Sequence, residues 1–407
     1  MPGGTPTIAF MRREWRFLLF GALVVFWTSP GQTYLISLFG DQLRQEFSLR
    51  HSDFGGIYTA ATLTSAAILW PAGRLVDKLP LARFVWWICA AMVVGTFAFS
   101  LVEGAVTLFL GILFVRFLGQ GMMSHIAVTA MARRYVAERG RAIAIAGFGL
   151  PIAEGLCPPL VTIGLTITSW QNIWIGMGVL AAVMLLPTVP FLLKRTSGQD
   201  GAGYEALSKS ERTQKQWTRS EMLKDSLFFK IAPLVMTMSA IFTGIVFHQK
   251  HIISSIKDWD FLWWSLSFSA FAVFQVIGSF TAGWLVDRIS ARRITPFVLL
   301  PFAASTALLG IGEHEYWAPA IMILMGMSAG ATGPTYSSLW AELYGTQHLG
   351  AIRAAGAVLS VFGSALGPWV IGWALDANIS FLSIAMTSVV IILMTCTLAA
   401  HGLRRNS

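Results

Sequence analysis

The chain has 407 residues, of which 55% are hydrophobic and only 12% charged, with a mean hydropathy of +0.64. A soluble globular protein carries roughly 25% charged residues, so this composition excludes an ordinary soluble domain and points to a chain that faces lipid. The net charge of +9 does not point to nucleic acid, because Lys and Arg are dealt out among short connectors between apolar runs.

Apolar runs near 17–39, 54–73, 84–102, 105–130, 141–166 and 171–193 make a first set of six. A polar stretch follows, and a second set lies near 228–250, 261–283, 294–312, 316–340, 350–374 and 380–401. Each approaches the ~20 residues that cross a hydrocarbon core, and runs of this length in lipid are helices. The expected architecture is an all-α polytopic membrane protein of twelve transmembrane helices in two six-helix pseudo-symmetric halves. The halves are 1–193 and 228–407, joined by a linker over 194–227 with a short amphipathic helix expected at Trp217 to Leu223. The first run follows Arg12, Arg13 and Arg16; it is too long for a signal-peptide core and reads as a retained span. Tryptophans such as Trp70, Trp86, Trp170, Trp259 and Trp317 fall near run ends, where indole suits the headgroup layer.

Basic residues cluster in the tail and in alternate turns: Arg74, Lys78 and Arg83; Arg133, Arg134, Arg139 and Arg141; Arg288, Arg292 and Arg293. The intervening connectors are poor in them, so both termini are expected in the cytoplasm. Cys89, Cys157 and Cys396 lie inside apolar runs and read as small buried hydrophobes, with no disulfide framework or CxxC motif. Walker A, HExxH and nucleophile-elbow motifs are missing or lack their context. The expectation is a protein that is not an enzyme, binds no cofactor and no metal, and draws on gradients for any pumping.

The two sets of runs are related. Gly73-Arg74-Leu75-Val76-Asp77-Lys78-Leu79-Pro80-Leu81-Ala82-Arg83 returns as Gly283-Trp284-Leu285-Val286-Asp287-Arg288-Ile289-Ser290-Ala291-Arg292-Arg293. Gly140 and Gly350, and Pro158 and Pro368, keep the same offset. A period of half the chain means two related halves rather than a solenoid.

An ionisable residue at membrane depth is costly and marks a partner or a watery cavity. Arg116 and Glu154 lie equally far before and after Tyr135, near which the fourth and fifth runs turn, so they are expected at equal depth on neighbouring helices. One reading is a switchable pair, in which protonation of Glu154 frees Arg116 for an anion. The other is a permanent ion pair that fixes packing.

The half-chain repeat, the spans and the charged turns resemble the major facilitator superfamily. Its loop signature, Gly-x-Leu-Ala-Asp-Arg/Lys-x-Gly-Arg-Lys/Arg, is matched by Gly73, Leu75, Asp77 and Lys78 and by Gly283, Leu285, Asp287, Arg288 and Arg292. Arg116-Phe117-Leu118-Gly119-Gln120-Gly121 is similar to a second motif of the family. The span 5 ending that marks its drug/proton antiporters is missing. Ala341-Glu342-Leu343-Tyr344-Gly345 with Gly350 and Arg353 loosely resembles bacterial members of the monocarboxylate and oxalate/formate group, although the basic residue usual in span 8 is absent.

The resemblance implies alternating access around a cavity lined by spans 1, 4, 7 and 10, with substrate near the midplane. The substrate-binding candidates are then Arg116, Gln32, Thr33, Tyr34, Gln120, His248, Gln275 and Tyr336, with Glu154 as proton carrier. Lys250 and His251 read as solvated outer-face charges. The resemblance also implies a gate in which Asp77 pairs with Arg353 and Asp287 with Arg141, joined by the closing cations Arg83 and Arg293; the alternative is that these residues only anchor their turns. The expected function is secondary active transport of a small organic anion such as a monocarboxylate, coupled to protons, by a functional monomer in a bacterial inner membrane. Efflux of an apolar or cationic compound by antiport, and a receptor or sensor that no longer transports, stay open.

Overall fold

The structure, a computed structural model, describes residues 7–135, 138–194 and 216–404, without the side chains of Thr7, Asp77 and Lys78. Much of the linker and the side chain of Asp77 thus lie outside the described residues. Within them the chain is helical throughout, with no strand. The principal helices are α1 (Thr7–Phe26), α2 (His51–Ala72) and α3 (Leu81–Phe99). They continue as α4 (Ala105–Arg134), α5 (Arg139–Ile167) and α6 (Trp170–Leu193). In the second half come α7 (Ser226–Phe247), α8 (Phe261–Ile289), α9 (Ala291–Ile311), α10 (Ala318–Tyr344), α11 (Leu349–Asp376) and α12 (Phe381–Arg404). Among the described residues, nine are long and apolar enough to cross a membrane: α3 to α9, α11 and α12. The other three expected spans are α1 with its continuation to Glu46, which is broken, and α2 and α10, which are helical but rich in Gly, Ser and Thr.

Helix starts follow from side chains that cap free backbone N–H groups. Ser169 accepts from Asn172 N ahead of α6, Asp225 from Leu227 N ahead of α7, and Asp260 from Leu262 N ahead of α8. Thr218 and Glu221 form a reciprocal capping box on the one-turn helix Arg219–Met222, inside the stretch expected to hold a short linker helix.

The described parts of Met1–Gln42 and Ala60–Glu205 form one compact unit, and those of Leu43–Thr59 and Ala206–Ser407 the other. In the second unit, Asp376 at the end of α11 accepts from His51 N at 3.1 Å and Ser52 N at 2.8 Å, capping the first turn of α2. α8 lies against α10, and α7 against α11, so closely that a Cβ on Gly330 would strike the Gln275 carbonyl and one on Gly367 the Ala240 carbonyl. Where lipid removes the hydrophobic drive between helices, this close approach supplies the attraction.

The two copies of the repeated turn are built differently. In the second, Ser290 sits at φ 95°, ψ 149° between α8 and α9, a region otherwise reserved for glycine. Its counterpart Pro80 has φ −57° and ψ 120°, because the pyrrolidine ring fixes φ near −65°. The first copy turns instead through the short helix Leu75–Lys78 and an extended Leu79.

In the first unit, Glu14, before the apolar part of α1, accepts from Arg134 Nη2 at 3.1 Å and from the Tyr135 hydroxyl at 3.0 Å. The Arg134 guanidinium also lies over the Phe17 ring. Burial alone would raise the Glu14 carboxyl, but the hydrogen bonds from Arg134 and Tyr135 outweigh it and hold it below its ordinary value of 4.5. A depressed carboxyl contributes stability that is fully present above 4.5 and fades as pH falls through the folded value. Glu14→Gln should therefore cost about 1–2 kcal/mol at pH 7. In thermal melts of the detergent-solubilised protein, the gap to wild type should narrow steadily below pH 4.5.

Candidate functional site

Pro30 organises the polar centre of the first unit. It has no N–H to give the Phe26 carbonyl, and Ser29 Oγ supplies a donor there instead, at 2.5 Å. Thr28 Oγ1 similarly donates to the Val25 carbonyl at 2.7 Å. Beyond α1 the chain continues as the 3₁₀ turn Ser29–Gly31, the short helix Thr33–Ile36, a second 3₁₀ turn Ser37–Phe39 and the helix Gly40–Glu46.

Facing this break, α4 is also irregular. Its middle, Phe117–Met123, is a π-turn that opens directly after Arg116, a distortion that recurs at functional sites. The two irregular stretches touch backbone to backbone: a Cβ on Gly31 would strike the Val115 carbonyl, and one on Gly119 would stand 2.7 Å from Thr28 O. No larger residue fits at either place. Arg116, 1% exposed, sends Nη1 to the Gly31 carbonyl at 3.3 Å. Gln32 Nε2 donates to Thr28 Oγ1 at 3.3 Å, while Thr33 and Gln120 are half-buried beside the break and in the π-turn.

Glu154 reaches the same region from α5 and is 8% exposed. The Tyr34 hydroxyl donates to Ser29 Oγ at 2.7 Å, and both the Glu154 carboxyl and the Cys157 thiol are its electrostatic neighbours. Cys157 hydrogen-bonds with Ser29 and Tyr34, so it belongs to the polar cluster rather than acting as a hydrophobe. Arg116, Gln32, Tyr34, Glu154, Ser29 and Cys157 are thus linked through the broken segment of one compact unit. Ser29 and Cys157 escaped the sequence reading, although the Ser29-Pro30 step was visible.

The other substrate-binding nominees fall in the second unit. His248 is buried with Nε2 2.8 Å from the Pro368 carbonyl. The His51 ring lies 5.4 Å from that of His248 and 4.2 Å from that of His251. His251 therefore stacks on another ring instead of standing free in solvent, and Lys250 Nζ lies 4.2 Å over the Phe261 ring. Gln275, on α8, is half-buried, and its Oε1 is buried with no hydrogen-bond partner among the described residues. Tyr336 of α10 and Arg353 of α11 line a cavity between α7, α10 and α11. Of the gating nominees, Arg83, Arg141, Asp287, Arg293 and Arg353 are exposed.

Glu342 proves to be a turn-holder. Its carboxylate accepts from Ala291 N at 2.7 Å and Arg292 N at 3.2 Å, capping α9, while Arg292 Nη2 returns to the Glu342 carbonyl at 3.3 Å. The first copy of the turn is held with opposite polarity: Arg133 Nη1 donates to the Val76 carbonyl at 3.1 Å, and His125 Nε2 lies 3.3 Å from that of Gly73.

The family model for the Major Facilitator Superfamily matches residues 18–368 and 252–406. The chain belongs to this superfamily. Within it, the chain is 24% identical over 231 residues to the uncharacterized MFS-type transporter YcxA of Bacillus subtilis (strain 168), a match that covers 55% of this chain and 54% of that relative. The chain thus matches only about half the length of this curated relative. Among solved facilitators, the fold resembles the inward-facing, unoccupied crystal structure of a bacterial homolog of the human lysosomal transporter Spinster, with a TM-score of 0.69, 14% identity, and 99% and 94% of the two chains covered. It also resembles the nucleoside transporter NupG, with a TM-score of 0.71, 14% identity, and 95% and 98% covered. At this identity the likeness carries the fold alone. Superfamily membership points to a transport role in a membrane rather than to catalysis.

In this facilitator the turn between α8 and α9 combines a strained Ser290 with the Glu342 cap. Glu342→Ala should remove about 1 kcal/mol of capping and speed tryptic cleavage after Arg288, Arg292 or Arg293 roughly fivefold. Ser290→Gly should slow it. Both are read as the rate of fragment appearance from the solubilised protein.

Proposed function

We propose that the protein moves a small organic anion, a monocarboxylate being the simplest case, together with a proton by alternating access. The observation that carries this reading is the burial of two ionisable side chains, Arg116 and Glu154, at 1% and 8% exposure in one polar cluster. A charge held out of water is costly unless compensated. With Glu154 ionised, its carboxylate offsets the Arg116 guanidinium. With Glu154 protonated, the guanidinium is left to a substrate carboxylate, which matches it in a two-toothed hydrogen-bonded pair. Proton and anion then favour each other's binding, as linkage requires. Gln32, Thr33, Tyr34 and Gln120 supply hydrogen bonds in this unit, and His248, Gln275 and Tyr336 in the other.

The remaining parts of the proposal follow the charges. The basic turns face the cytoplasm of a bacterial inner membrane, with both termini on that side, and the monomer is the working unit. The halves are 1–193 and 228–407, with 194–227 as tether. Asp77 with Arg353 and Asp287 with Arg141, flanked by Arg83 and Arg293, act as the cytoplasmic gate.

The test is uptake of radiolabelled small carboxylates into proteoliposomes with and without an inward-acid pH gradient. Wild type should accumulate one acid when the gradient is present, and Arg116→Ala should abolish that flux. Glu154→Gln should abolish gradient-driven accumulation yet retain carboxylate exchange. Accumulation by Glu154→Gln at the wild-type level removes Glu154 as proton carrier; undiminished flux in Arg116→Ala removes the anion reading.

A further inference from the structure

The cavity between α7, α10 and α11 holds about 290 Å³ and lies wholly within the second unit. Its size is at the small end of the roughly 300–1,000 Å³ typical of ligand pockets, enough for a compact acid with one ring. Arg353 is the one charged side chain in its lining, and no acidic residue lines it. Among the described residues Arg353 has no ion-pair partner within 4.0 Å. It stands on the first turns of α11, whose N-terminal dipole adds positive potential.

The hydrogen-bonding groups sort themselves. Thr332, Ser239 and Ser360 turn their hydroxyls back onto the carbonyls of Ala329, Val235 and Gly356 in their own helices. Tyr336 does not: its hydroxyl is buried with no hydrogen-bond partner among the described residues. A buried donor left unmade costs free energy that a bound acceptor would remove. Apolar lining comes from Val235 and Met238 of α7 and from Trp340, one turn after Tyr336 on α10. The Trp340 ring is held in place, stacked at 6.1 Å on Tyr344 and tilted at 6.0 Å from Phe228. A guanidinium, a free phenol donor and a fixed indole face thus line one small space.

We infer that this cavity is a binding site for a small carboxylate with an apolar or aromatic body, held by Arg353 and Tyr336 and flanked by Trp340. It lies in the other unit from the Arg116 cluster but shares Tyr336 with the proposed transport site and Arg353 with the proposed gate, so the test is run in a background without Arg116 to tell its failure from that of the transport reading. It also gives Arg353 a ligand-binding role besides its proposed part in the gate.

The test is isothermal titration of benzoate into the full-length purified protein, carried out in wild type and in an Arg116→Gln background that removes the first unit's candidate anion site. Benzoate should still bind to Arg116→Gln, and benzamide, neutral and of the same shape, should bind at least tenfold more weakly. Adding Arg353→Gln should weaken benzoate roughly tenfold or more, and Tyr336→Phe severalfold, in variants whose thermal melts match the parent. Three outcomes overturn the inference: no benzoate binding once Arg116 is replaced, unchanged affinity in folded Arg353→Gln, or benzamide binding as tightly as benzoate. The first of these leaves the transport reading intact, whereas loss of flux without loss of this binding does the reverse.

Discussion

In a membrane a backbone carbonyl or N–H that loses its helical partner has no water to turn to, and much of this structure answers that constraint. Pro30 frees the Phe26 carbonyl, and Ser29 takes it. Asp225, Asp260 and Ser169 receive the first N–H groups of three spans. At the other polarity, Lys257 donates to the carbonyls of Gly310 and Gly312 at 2.7 and 2.8 Å near the end of α9. Because the break at Pro30 is satisfied by the nearby Thr28 and Ser29 hydroxyls, α1 can be interrupted there, and the break is what admits polar side chains to the middle of the first unit.

Those side chains set a second constraint. Effective desolvation of an ion costs several kcal/mol, so a guanidinium at 1% exposure is tolerable only in an environment of carbonyls, hydroxyls and a carboxyl. The Gly31 carbonyl is part of that environment, and it is exposed to Arg116 only because the chain turns there instead of continuing as helix. Steric fit and electrostatics therefore depend on each other: the glycines that let the π-turn and the 3₁₀ turn meet also bring the carbonyl to the arginine.

Much of this was legible in the sequence. The apolar runs mark the spans, and the half-chain offset marks the repeat. The two charges at matched distances from Tyr135 mark the first unit's polar centre, since only residues with a strong physical cost stand out against a greasy background. What stayed hidden depends on contacts remote in sequence. Cys157 reads as a hydrophobe until Tyr34 and Ser29 are seen beside it. His51, at the head of α2, carries no mark of the rings of His248 and His251 that it meets. Glu342 looked like part of a substrate-group motif, but its carboxylate serves the backbone of a turn fifty residues earlier. Tyr336 stands among the sequence candidates, but three helices must be in place before its phenol is seen to lack a partner among the described residues. Periodicity registers faces and lengths; it does not register which hydroxyls are already spent on their own helix.

The unequal turns have a consequence for how the two halves relate by descent. A duplicated gene begins with two copies of the same turn, each able to replace the other. Here one copy carries proline where the other carries a serine at φ 95°, and one is held through carbonyls by Arg133 and His125 while the other is held through N–H groups by a carboxylate. Proline cannot enter the second conformation, and the carboxylate has no counterpart at the first. The halves have thus ceased to be interchangeable parts at the very segment whose sequence still repeats.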